Sequence, residues 1–198
     1  MPAPDVSVPP RRPARQLLLD AAARLFYANG VAGTGIDTIT SEAGVAKKSL
    51  YNNFASKADL VAAYLEARHA EWLELYRSRL ETAGNAGGRV LAVFDAYLDH
   101  ANAAYEHGFR GCGLLNAAAE LPAGDAGREA VRRHKEQVEE LLAAHALELL
   151  PGQKARAAEL ARHLSFLLEG AMARAGLEGG DARLRDARLI AARMLAEL

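Results

Sequence analysis

Residues 36–60 read IDTITSEAGVAKKSLYNNFASKADL, and this stretch decides the fold. Ile36, Ile39 and Ala43 fall at i, i+3 and i+7, one apolar stripe on a helix of about two turns that ends at Gly44. Gly44 supplies the positive φ that a sharp reversal after a helix requires. Val45 is the next inward anchor, and Leu50 and Phe54, four residues apart, fix the buried face of a second short helix. The opposite face carries Lys47, Lys48, Ser49, Tyr51, Asn52 and Asn53, and no carboxylate lies between Ala46 and Ser56. Cations neutralise phosphates, and an asparagine amide matches the donor and acceptor that adenine presents in the major groove. Ser56 followed by Asp59 is a capping-box variant that starts a third helix at once. The pattern predicts a helix-turn-helix that reads DNA.

The segment AGVAKKSLYNNFASKADL resembles the AGVS-x-x-x-LY-x-x-F-x-x-K-x-x-L core of the TetR family of ligand-responsive transcriptional regulators. The likeness extends upstream through LLLDAAARLFYANGVAGTGIDTI, so it covers roughly Arg15 to Leu65 closely; beyond that only length, helicity and the segment RGCGLLNAAAEL agree. Four positions depart from the family pattern. Ala46 stands where a Ser or Thr often caps the recognition helix, a loss of about 1 kcal/mol in typical hosts. Gly35 replaces a hydroxyl that often caps the second helix and touches phosphate, which leaves Thr34 as the nearby hydroxyl. Thr40 replaces a frequent alanine where the two helices touch, and Lys48 adds a cation where glycine is common. The resemblance implies an all-α fold of about nine helices, a homodimer and a small-molecule effector.

Composition agrees with a folded chain. Its 198 residues are 51% hydrophobic and 25% charged, with a net charge of −1. Residues 1–57 hold seven cations (Arg11, Arg12, Arg15, Arg24, Lys47, Lys48, Lys57) against Asp5, Asp20, Asp37 and Glu42, a balance of +3, so the remainder carries −4. A basic N-terminal part on an acidic remainder fits a DNA-binding head on a separate body. The single cysteine, Cys112, excludes an intrachain disulfide framework and fits a reducing cytoplasm. No apolar run reaches the ~18 residues that span a bilayer, and no secretory leader is evident, so a cytoplasmic protein without membrane attachment is expected.

Five prolines in residues 1–13 predict a flexible arm, with Arg11, Arg12 and Arg15 near its end. From Ala14 to Asn29, Leu17, Leu18, Ala21, Ala22, Leu25 and Phe26 form one helical face closed by Gly30. The helix begun at Lys57 runs to about Ala83, before the Gly84–Gly88 break. Further helices are expected at about 89–106, 112–120, 125–150, 153–175 and 181–197, divided by Gly and Pro turns. Both of the last two are rich in Ala and Leu, and the apolar positions of the first exceed one narrow stripe, which predicts burial on two sides. By resemblance they form the homodimer interface, through residues of about 153–198.

The domain division expected is therefore an arm at 1–13, a helix-turn-helix DNA-binding domain at 14–60, and a helical effector-binding and dimerisation domain at 61–198. Lys47, Lys48, Thr34, Tyr51 and Lys57 are candidates for phosphate, and Ser49, Asn52 and Asn53 for bases. The partner is a double-stranded, quasi-palindromic operator. Candidate effector contacts are Trp72, Phe94, Tyr97, Tyr105, Cys112, Asn116, His134 and Phe166, aromatic walls with a few polar points that suit an apolar or aromatic ligand. Neither glycine cluster matches a phosphate-binding loop, and the sequence has no H-E-x-x-H or G-x-S-x-G. No enzyme, cofactor or metal site is expected. The function expected is a repressor released by its effector; the alternative is a helical ligand-binding or scaffolding protein without DNA affinity, which has no need of two lysines and two asparagines on one exposed face.

Overall fold

The computed structural model describes residues 12–103, 105 and 108–198. Most of the proline-rich arm, including Arg11, lies outside the described residues. The described residues form nine helices: α1 (Ala14–Asn29), α2 (Ile36–Glu42), α3 (Lys47–Asn53), α4 (Lys57–Leu80), α5 (Ala86–Ala101), α6 (Gly113–Ala119), α7 (Ala126–Leu149), α8 (Lys154–Glu178) and α9 (Ala182–Ala196). The fold is all-α, with an N-terminal helix-turn-helix unit followed by a helical C-terminal part.

α1 packs against α2, α3 and α4. Leu18, Ala21, Ala22 and Phe26 meet Ile39, Leu50, Phe54 and Leu60 in one core. Gly44 takes φ 64° at the reversal between α2 and α3, as its place in the sequence demands. Neither α2 nor α3 has a side-chain cap, because Gly35 and Ala46 stand at their N-cap positions. α4 is capped on both sides of its start: Ser56 Oγ accepts from the Asp59 N–H at 3.1 Å, and the Asp59 carboxylate accepts from the Ala55 N–H at 3.0 Å.

In the C-terminal part α4 packs on α5 and α7, α7 on α8, and α9 on α8 and α5. Helix ends differ from the periodicity in four places, one of them the end of α5, which stops at Ala101 with Asn102 as its C-cap rather than near 106. α5 starts at Ala86 rather than 89, because Asn85 caps it by accepting from the Gly88 N–H at 2.8 Å, which draws two glycines into its first turn. α4 ends at Leu80 rather than 83, the next three residues continuing only as a tightened turn. α8 runs on to Glu178, through Gly176, and stops at Gly179 with φ 72°. Gly176 is therefore not part of the turn. A Cβ there would stand 2.7 Å from the Gly111 Cα, so its hydrogen lets α8 rest directly on the backbone preceding α6.

Candidate nucleic-acid interface and body cavity

The outward face of α3 is set by what its inward face buries. Leu50 within the helix and Phe54 just after it are almost wholly buried, so Lys47, Lys48, Tyr51 and Asn52 stand exposed and Ser49 half-exposed. Tyr51 is 53% exposed, far more than a tyrosine held for packing. Lys47 is paired with Asp37 at 2.8 Å; the hydrogen bond to Asp37 raises its pKa. Lys48 has no ion-pair partner among the described residues. Lys57 is half-buried in the first turn of α4. Arg12 pairs with Asp20 at 2.6 Å, and the Arg15 guanidinium lies 5.1 Å over the Phe54 ring, which braces the end of α3.

Two of the expected contacts, Thr34 and Asn53, are turned inward in this geometry. Thr34 is only 2% exposed, and its hydroxyl donates inward to the carbonyls of Gly30 at 2.7 Å and Leu25 at 3.3 Å; it closes the end of α1 and has nothing left for phosphate. Asn53 is half-buried and its amide nitrogen donates to the Ser49 carbonyl at 2.8 Å, so Asn52 is the asparagine whose amide is exposed.

The helix-turn-helix is tied to the rest of the chain by contacts its periodicity does not announce. The Glu120 carboxylate, just past α6, accepts from the backbone N–H groups of Val31 at 3.0 Å and Ala32 at 2.6 Å. Arg110 donates to the carbonyls of Tyr27, at 2.7 Å, and Ala28, covering the C-terminal end of α1. The Tyr27 hydroxyl accepts from the Arg110 N–H at 2.6 Å and donates to the Gly111 carbonyl at 3.1 Å, while its ring stacks on Tyr105 at 4.4 Å.

The expected effector residues divide. Trp72, Tyr97, Cys112 and His134 converge, with Arg68 and His100, on a cavity of about 20 Å³ among α4, α5, α6 and α7. Phe94 is a fully buried core residue and is not in that lining. Tyr105 lies in a groove between α1 and α4, against Tyr27. Asn116 turns away and donates to the Arg110 carbonyl at 3.0 Å. Phe166 is 68% exposed on the outside of α8 and cannot line an interior site.

The sequence reading did not find Lys135. Its ammonium donates to Glu169 at 2.8 Å and to the Tyr97 hydroxyl at 3.2 Å, and lies 3.6 Å from Cys112 Sγ. Burial pulls this ammonium down, but Cys112, Tyr97 and Glu169 more than offset it and hold it protonated. His134 and His69 meet through their Nδ1 atoms at 2.6 Å, a pairing across 65 residues that no local spacing reveals. Burial pushes His134 down to about 3 and His100 down to about 4, so both are neutral at pH 7. Among the described residues no group of three or more His, Cys, Asp or Glu is arranged to hold a metal, and no helix is long and apolar enough to cross a membrane.

Residues 18–64 match the family model for bacterial regulatory proteins of the tetR family. The HTH-type transcriptional activator FasR of Mycolicibacterium smegmatis is 33% identical over 106 residues, which cover 54% of this chain and only 47% of FasR. An uncharacterized HTH-type transcriptional regulator of Bacillus subtilis, YezE, is 29% identical over 75% of this chain and 79% of its own length. Among solved structures, SCO4454, a TetR-family transcriptional regulator from Streptomyces coelicolor, superimposes with a TM-score of 0.84 at 29% identity, over 94% of this chain and 96% of that one. With the helix-turn-helix geometry above, these likenesses assign the chain: it belongs to the TetR family of DNA-binding transcriptional regulators, a family of regulators and not of enzymes.

Proposed function

We propose that the protein is a cytoplasmic, homodimeric repressor that binds a quasi-palindromic operator and leaves it when a small effector binds. In this reading residues 14–60 are the DNA-binding head and residues 61–198 the effector-binding and dimerisation body. The observation that carries it is the outward face of α3, where Lys48, Tyr51 and Asn52 stand exposed on a helix fixed from behind by Leu50 and Phe54. Lys47, Lys48, Tyr51 and Lys57 hold phosphates, and Ser49 and Asn52 read bases, with Asn52 paired to adenine N6 and N7.

Homodimerisation is supported by an apolar stripe on α8. Phe166, Gly170, Ala173 and Leu177 follow the i, i+4, i+7, i+11 spacing on the face away from the core, and Leu177 is 89% exposed. Leu189 and Ile190 extend the exposed apolar surface on α9. Two copies joined there present two α3 helices to major-groove faces about one helical turn apart. The effector releases DNA only if it binds the wrongly spaced dimer more tightly than the DNA-bound one. α4, which runs from the head into the body, is the lever.

Gel shift with the DNA upstream of the protein's own gene, at stated salt, tests the reading. A discrete complex that Asn52→Ala and Tyr51→Ala each weaken supports it. Salt-sensitive smearing unaffected by either change leaves a helical ligand-binding or scaffolding protein instead. In sedimentation, wild type is expected as a dimer, and Phe166→Asp with Leu177→Asp as a folded monomer.

A further inference from the structure

Every polar side chain lining the α4–α7 cavity can donate a hydrogen bond: Arg68 and Trp72 can only donate, whereas Tyr97, His100, Cys112 and His134 can also accept. No carboxylate or side-chain amide lies among them. Trp72 is only 4% exposed, yet its Nε1–H has no hydrogen-bond partner among the described residues. An indole N–H is a donor and nothing else, and a buried polar group without a partner is rare enough to call for an explanation. The ring itself forms an aromatic wall, with Tyr97 at 5.5 Å and His134 at 5.4 Å, both edge-on. We infer that this cavity, widened into the cleft beside it, binds a small aromatic ring bearing a carboxylate, which the Trp72 N–H and its neighbouring donors receive.

The inference rests on the reading of the body as effector-binding and adds the ligand's chemical class. The one charged group in the cavity lining is a cation, Arg68. Burial lowers His100 and His134, and the charges of Arg68 and Lys135 add to this at His100 and that of Lys135 at His134, although each cation is itself paired with a carboxylate, Lys135 with Glu169 at 2.8 Å and Arg68 with Glu71. A cation would find no carboxylate in the cavity lining to pair with. A hydrocarbon of the same shape would leave the Trp72 N–H unpartnered.

Access comes from the cleft. Its volume is about 260 Å³, it lies between α4 and α7, and it shares Leu114 and His134 with the cavity. The Nδ1 contact of His69 with His134 stands at the shared wall. Turning the His134 ring away joins the two spaces into a volume near the ~300 Å³ lower end of small-molecule sites, which suits one ring and not a fused polycycle. Unlike the cavity, the cleft is lined by a carboxylate and an amide, Glu66 and Gln137, with Arg133 offsetting the charge of Glu66.

The chain has a single tryptophan, so its indole N–H is one resolved signal in a nitrogen-15 spectrum. The test titrates the full chain with benzoate, and with benzylamine and toluene as size-matched cation and hydrocarbon. Benzoate is expected to move the indole signal downfield and to raise the melting temperature with concentration; the other two are not. Trp72→Phe keeps a buried ring and is expected to fold as well as wild type while binding benzoate about tenfold more weakly. Benzylamine or toluene stabilising as well as benzoate overturns the inference. So does an indole signal unmoved at saturating benzoate, or unchanged affinity in Trp72→Phe. If a compound of another class releases the upstream DNA while benzoate fails to bind, the ligand class falls and the effector reading stands. If benzoate binds as expected but no compound of any class releases DNA, the inference holds and the effector reading falls.

Discussion

Acid should destabilise this protein well before its carboxylates titrate, and the size of the effect follows from two histidines. His134 is 4% exposed and held neutral down to about pH 3; His100 is held neutral down to about pH 4. Once unfolded, each returns to about 6.5. Between those values the unfolded chain binds more protons than the folded one, so stability falls as pH falls from 6.5 toward 4 and 3. The slope is about 1.4 kcal/mol per pH unit for each group, which at pH 5 amounts to about 2 kcal/mol per histidine and about 4 kcal/mol for the pair. His69, also lowered by burial, adds in the same direction. Glu148, Glu178 and Asp181 are lowered by hydrogen bonds from His145, Arg183 and Arg185 respectively, so their protonation falls below pH 5 and does not confuse the window. Urea unfolding at pH 7.5 and pH 5.0 should therefore show a loss of about 4 kcal/mol in wild type and about half of that in His134→Gln. Equal losses in the two proteins, or none in wild type, would refute the argument that these histidines are buried neutral.

Lys48→Ala should weaken operator binding across sequences and reduce the slope of log affinity against log salt by about 1, and Lys47→Ala by less, because Asp37 already occupies that ammonium; equal slopes would contradict the assignment. Asn52→Ala should cost about 1–3 kcal/mol on the operator while leaving non-specific binding intact, as read by competition gel shift. Glu120→Ala removes the acceptor of two backbone N–H groups, so the Val31 and Ala32 amides should exchange hydrogen faster while those of Leu142 and Leu164 stay protected; uniform loss of protection would mean global unfolding instead. Gly176→Ala forces a methyl group against the Gly111 backbone and should destabilise by about 1–3 kcal/mol in urea, whereas Gly180→Ala, with open space around it, should cost far less.

Local pattern carried the helix-turn-helix because all its determinants are local. The stripe of Ile36, Ile39 and Ala43, the turn at Gly44 and the Ser56–Asp59 cap each act within about four residues, and each stands as the sequence predicts. The same locality explains the misplaced ends: Asn85 and Gly176 look like turn residues, and only the Gly88 amide in one case and the Gly111 backbone in the other assign them to helix. The interior polar residues were legible in part. Trp72, Tyr97, Cys112 and His134 are apolar or aromatic enough to be sought inside, but Lys135 reads as an ordinary surface charge within RRHKEQ. Its burial is set by Glu169 on another helix, 34 residues on. Thr34 turns inward for a related reason: a hydroxyl beside a helix start suits phosphate, and the carbonyls that capture it belong to the end of the preceding helix.

The Glu120 and Arg110 contacts bear on how freely such a protein can be recombined. Heads of regulators are natural units to exchange when a new operator is wanted for an existing sensor. Here the loop after α1 borrows its hydrogen-bond acceptor from Glu120 and the end of α1 borrows its counter-charge from Arg110. A chimera that joins residues 14–60 to a foreign body must therefore also bring a carboxylate at the end of α6 and a cation before it. Without them, the transplanted head keeps its operator-facing residues and loses the attachment by which a body could govern them.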